Sequence, residues 1–79
     1  MFKAPRRPHE TRCGICAKTI ADSDVCADHD HATGFFRDWL CKNCNCAIGL
    51  FNDNTSICLS ASLYLHKHQH NGKTSHYFT

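Results

Sequence analysis

The sequence predicts a small α+β domain, and three observations predict it. Two short runs of strand character, residues 25–29 and 35–40, are separated by a polar loop. Beyond Cys41 the apolar residues recur at helical spacing. The third observation is a pair of cysteine motifs, Cys13-Gly-Ile-Cys16 and Cys41-Lys-Asn-Cys44, that bracket the strands. At 79 residues the chain makes one domain. Domains below roughly 70–80 residues bury too small a core to stand without a metal or disulfide staple.

Each element follows in order. Residues 1–12 read as an extended basic arm, because Pro5 and Pro8 forbid helix and push their neighbours to extended backbone. Cys13 to Cys16 forms a tight knuckle, with Gly14 easing the backbone around a metal. Asp22-Ser23-Asp24 is a turn signal. Residues 25–29 then run as a first strand, residues 30–34 as a loop, and residues 35–40 as an aromatic-rich second strand. Cys44, Ala47, Ile48 and Phe51 predict a helix from about residue 42 to residue 52, with Gly49 marking a close approach. Asn52-Asp53-Asn54 ends it, and Asn54 or Thr55 caps a second helix to about residue 68. Ile57, Ala61 and Leu65 share one face of that helix, with Cys58 beside it. The division is an arm at 1–12, a folded domain at 13–68 and a tail at 69–79.

Composition narrows the setting. Met1-Phe2-Lys3-Ala4-Pro5-Arg6-Arg7-Pro8 is proline-broken and has no apolar stretch behind it, unlike a secretory signal. No run approaches the ~18 apolar residues of a membrane span. Seven cysteines, an odd number, suit a disulfide framework poorly. The expectation is a cytoplasmic protein in a reducing interior, with thiolates bound to metal and no membrane partner. The formal charge is +2, but four thiolates and one Zn²⁺ would cancel it. Global charge therefore says little about nucleic acid. Locally, Lys3, Arg6, Arg7 and Arg12 face only Glu10, so Arg6 and Arg7 could track phosphates or belong to a solvated tail.

Two kinds of metal chemistry are written between residues 13 and 45. Structural zinc takes four thiolates in a tetrahedron, and each CxxC turn presents two of them. Cys13, Cys16, Cys41 and Cys44 supply that set. The 24 residues between Cys16 and Cys41 exceed the usual ribbon spacing, as expected if a hairpin with its own task is inserted. Cys44-x-Cys46 lacks the standard bite. Cys26 and Cys58 have no partner at ligand spacing and read as small core residues. Within the insert stands Asp28-His29-Asp30-His31, and Asn45 follows the last zinc ligand. Phosphodiester hydrolysis needs a base for water and a cation for charge growing on phosphate oxygens. An imidazole, ordinarily of pKa about 6.5, suits the first task. A hard cation held by the Asp28 carboxylate and the Asn45 carbonyl suits the second. Successive strand residues point to opposite faces, so Asp28 and His29 can serve one site only if the strand ends or bends there. An isolated Asp-His pair is usually ordinary surface; the same pair between two knuckles, with Asn45 beside the last, points to a nuclease.

These residues resemble the bacteriophage recombination endonuclease VII family of His-Me finger (ββα-metal) nucleases. The resemblance runs from about Cys13 to Asn54, most densely from Asp28-His29-Asp30-His31 through Arg37 and Leu40-Cys41-Lys-Asn-Cys44-Asn45 to Gly49. It implies structural Zn²⁺ on Cys13, Cys16, Cys41 and Cys44. It also implies a catalytic Mg²⁺ or Mn²⁺ on Asp28 and Asn45, with His29 as general base. His31 would help at the phosphate or serve as a loop residue, and Arg37 would contact DNA. The setting it implies is the interior of a phage-infected bacterium.

Two departures stand out. Asp38 occupies the place of a family glycine and puts the path of DNA in question. The chain ends soon after its second helix, where junction-resolving relatives continue into a dimerising part. The expected function is a metal-dependent DNA endonuclease acting on duplex, branched or single-stranded DNA, with RNA also open. The rival is a non-catalytic zinc module that binds DNA or a protein. A third reading would make His66, His68 and His70 a transition-metal site, against a histidine-rich solvated helix end.

Overall fold

The structure, a computed structural model, describes residues 4–69. A 3₁₀ turn at Asp22–Asp24 leads into strand β1, Val25–His29, and strand β2, Phe36–Cys41, which pair as an antiparallel hairpin. Helix α1, Lys42–Leu50, starts directly from β2, and helix α2, Thr55–Lys67, follows after a short turn. This is the expected α+β order of knuckle, hairpin, helix, helix.

The end of the arm is built into the fold. Thr11 is buried, and its hydroxyl donates to the Pro8 carbonyl at 3.0 Å. Arg12 bridges Thr19, and the Ile20 amide donates to the Thr11 carbonyl at 2.8 Å. These bonds close residues 11–20 into a clasp carrying the first knuckle. Ala17 turns that clasp with φ 68°, a left-handed conformation that is costly for a residue with a Cβ. Gly14 has a different reason from the expected one. A Cβ there would run into the Asp38 carboxylate of β2, so the glycine lets knuckle and strand approach without displacing that side chain.

Helix α1 ends two residues before the expected position. Asn52 and Asp53 both take φ 55°, and their amides donate to the carbonyls of Gly49 at 2.9 Å and Ile48 at 2.8 Å. Asparagine and aspartate tolerate this backbone better than other side chains, so the Asn-Asp pair caps and reverses the chain. Asn54 then caps α2, its Oδ1 accepting from the Ile57 amide at 2.9 Å.

Cys13, Ile20 and Leu40 are the buried apolar residues, and Val25, Cys41, Cys44 and Ile48 pack against them. Three of these seven are knuckle cysteines, so the four-cysteine cluster and the hydrophobic core are one structure. Cys26 and Cys58 are only half-buried. On α2, Ile57 and Leu65 are exposed, as are Leu59, Leu63 and Tyr64. Ala61 and Cys58 are its half-buried positions. No helix among the described residues is long and apolar enough to cross a membrane. Of the predicted tail, residues 70–79 lie outside the described residues.

Candidate active site

The two knuckles converge. The sulfurs of Cys13, Cys16, Cys41 and Cys44 all lie within 4.8 Å of one another, and Cys16 and Cys41 stand 4.0 Å apart. Tetrahedral Zn–S bonds of about 2.3 Å require sulfurs about 3.8 Å apart, so this donor set fits zinc. Backbone amides prepare it. The Ile15 amide donates to Cys13 Sγ at 3.4 Å, and the Cys44 amide to Cys41 Sγ at 3.5 Å, making Cys41 the N-cap of α1. Burial opposes charge on Cys13, yet amides of Cys16, Cys41 and Ile15 draw its thiol down to about 6. Burial and the neighbouring sulfurs push Cys44 up to about 12. Four thiolates this close cannot all be charged unless a cation sits among them.

One turn of α1 away lies a cleft of about 170 Å³. Its polar wall holds Asp28, His29, His31, Asn45 and Asp53, and its apolar wall holds Ala27, Ile48 and Gly49. The sequence therefore named four of its five polar residues. A Cβ at Gly49 would meet no atom within 4 Å, so tight packing is not the reason for that glycine.

The strand does bend where the chemistry requires it. Asp28 pairs with Asp38 and His29 with Phe36, leaving Arg37 as the extra residue of a bulge on β2. A bulge re-aims side chains, and here both Asp28 and His29 line the cleft despite being consecutive. Directly opposed aspartates would otherwise repel. Asp38 turns aside, its Oδ1 accepting from the Trp39 amide at 2.7 Å, and it does not line the cleft.

The loop beyond β1 is ordered by Asp30. Its Oδ1 accepts from the amides of Ala32 at 2.8 Å and Thr33 at 2.9 Å, and its own amide donates to the Phe35 carbonyl at 2.8 Å. Donation from Thr33 and then Ala32 holds the Asp30 carboxyl below the usual range. The loop thus sets His31 edge-on to His29, with ring centroids 5.0 Å apart.

Arg37 occupies a position the sequence did not suggest. Its Nε donates to Asp28 Oδ2 at 2.6 Å and its Nη2 to Asp28 Oδ1 at 3.0 Å. The same Nη2 donates to Asp53 Oδ2 at 3.3 Å, and His31 Nδ1 lies 3.5 Å from that oxygen. Hydrogen bonding to Asp28 raises the guanidinium pKa further, against the cost of burial. Asp53 is the cleft residue that sequence reasoning missed. A signal existed: a carboxylate just past a helix C-terminus opposes the helix dipole and needs a reason.

The other residues singled out by the sequence fall elsewhere. Arg7 pairs with Asp22 at 3.0 Å and Arg6 is exposed, and neither lines the cleft. His66 and His68 join no cluster of metal-binding side chains among the described residues, and His70 lies outside them.

Comparison with known proteins bears on the family and the fold. The family described as recombination endonuclease VII matches residues 4–72. No curated protein matches the chain. Among solved structures, the chain is similar to the ββα-Me type II restriction endonuclease Hpy99I, at 33% identity and a TM-score of 0.67. The match covers 84% of this chain but only 37% of that one. The shared ground is the ββα-Me fold. With the family pattern spanning nearly the whole chain, knuckles and hairpin included, this protein belongs to the recombination endonuclease VII family.

Proposed function

We propose that this chain is a metal-dependent DNA endonuclease that hydrolyses phosphodiester bonds. The observation that carries the reading is the shared cleft. Residues 28, 29, 31 and 45, drawn from the hairpin and from α1, meet there in a chain of nuclease family.

Asp28 and Asn45 would hold the divalent cation. They offer one carboxylate and one amide carbonyl, and the open cleft beside them leaves room for water and a phosphate. Oxygen donors with free positions suit Mg²⁺ or Mn²⁺. When bound, such an ion supplies positive charge for phosphate oxygens as the bond to phosphorus changes. His29 takes the proton of the attacking water, and its place on the far side of the bulge from Asp28 lets base and ligand face one phosphate. His31 lies at the exposed rim, where it can reach a phosphate oxygen. Cys13, Cys16, Cys41 and Cys44 would hold zinc, and because Asn45 follows Cys44 directly and β2 runs into Cys41, a zinc there would brace the hairpin and α1 without touching substrate.

One observation favours the rival, a non-catalytic zinc module that binds DNA or a protein. Arg37 takes both oxygens of Asp28, leaving a cation to share that carboxylate. A Mg²⁺ requirement for cleavage separates the readings. Zinc-loaded protein is expected to cut DNA only with Mg²⁺ or Mn²⁺ added, and a folded protein inert on every DNA form would favour the module.

A further inference from the structure

We propose that Asp53 is a positioning residue that holds the Arg37 guanidinium and thereby frees Asp28 for a divalent cation. The inference rests on reading Asp28 as a metal ligand. Arg37 bridges the two carboxylates, with Nη2 shared between Asp28 Oδ1 at 3.0 Å and Asp53 Oδ2 at 3.3 Å. The Asp28 side chain is 10% exposed and that of Asp53 is 23% exposed, so solvent screens neither fully.

The charges set the direction of the effect. With Asp53 present, a guanidinium and a dication entering the cleft face two carboxylates. Without it, both cations compete for Asp28 alone. A small shift of Nη2 toward Asp53 would relieve Asp28 without expelling Arg37 into solvent.

Asp53 is also held where this requires. Its amide is bonded to the Ile48 carbonyl at 2.8 Å in a left-handed turn, and the next residue caps α2. The turn between the helices is thereby a fixed mount for a carboxylate facing the hairpin. His31 Nδ1 reaches the same oxygen at 3.5 Å, so one side chain ties the helical turn to both Arg37 and the histidine loop.

The test is Mn²⁺ binding by calorimetry to the zinc-loaded full chain, in wild type, D53N, R37M and the double variant, with D28N as the site control. Asparagine tolerates the φ of 55° at this position, so D53N keeps the turn. Zinc content and far-UV circular dichroism check the fold. Binding is expected to weaken about tenfold in D53N and to tighten about tenfold in R37M. The double variant should bind within about twofold of R37M, because Asp53 acts only through Arg37. An equal loss from D53N in both backgrounds would overturn the proposal, making Asp53 a ligand in its own right. Wild-type protein with no Asp28-dependent Mn²⁺ binding would overturn it together with the reading of Asp28.

Discussion

Asp30 shows how one half-buried side chain can shape a site it does not line. Its carboxylate replaces missing backbone partners in the loop and so fixes His31 relative to His29. The carboxyl is lowered, so its contribution is present above the ordinary carboxylate range and is lost as pH falls through the lowered value. Amide exchange at Ala32 and Thr33 should therefore lose protection only in acid. Asp30→Asn should keep protection at every pH, since the amide oxygen still accepts; protection factors in the wild type that do not change with pH would contradict this. At this scale the sequence was most legible for Asp28, His29, His31 and Asn45, because their spacing relative to the cysteines is local. It was silent on Asp53, whose meaning depends on a turn that carries it back to the hairpin. Arg37 was legible as a site residue, but its carboxylate partners were not, since they come from other elements.

Among the elements, the hairpin was readable almost to the residue and the helices to within two. Strand boundaries followed from turn residues on either side, and α2 from its Asn54 cap. The bulge was not readable. Its position depends on pairing register across the hairpin, and the one hint was chemical: adjacent Asp28 and His29 needed a bend to share a site. The first knuckle was legible as a turn, but not the left-handed Ala17. Ala17→Gly should relieve that strain and stabilise the fold by about 0.5–1 kcal/mol, after allowing for the greater freedom of glycine when unfolded. The midpoint of denaturant unfolding checks it, and a lower midpoint would count against the strain.

For the whole molecule, the decisive fact is that core and metal cluster coincide. Among the described residues only Cys13, Ile20 and Leu40 are buried apolar residues, with Cys41 and Cys44 packed against them. Removing the metal would leave crowded sulfurs, one driven toward charge and another away from it, at the centre of a very small core. Chelation should therefore abolish cooperative folding, and one zinc per chain should restore it. A far-UV spectrum unchanged by complete zinc removal would show that the apolar contacts suffice. Acid should release zinc as well, because protons compete for the thiolates. The cysteine pattern made this dependence legible from the start. The exposed apolar side chains of α2 were not, because helical spacing reveals a face and not what covers it.

The most direct measurement is cleavage of matched linear duplex, single-stranded and four-way-junction DNA by zinc-loaded protein, with and without Mg²⁺, beside His29→Ala. A metal-dependent nuclease site predicts Mg²⁺-dependent cutting of at least one substrate. It also predicts that His29→Ala, still folded and zinc-bound, cuts about 10²–10⁴-fold more slowly, as loss of a general base requires. Undiminished cutting by that variant would contradict the role given to His29, and no cutting by folded wild-type protein would contradict the nuclease itself.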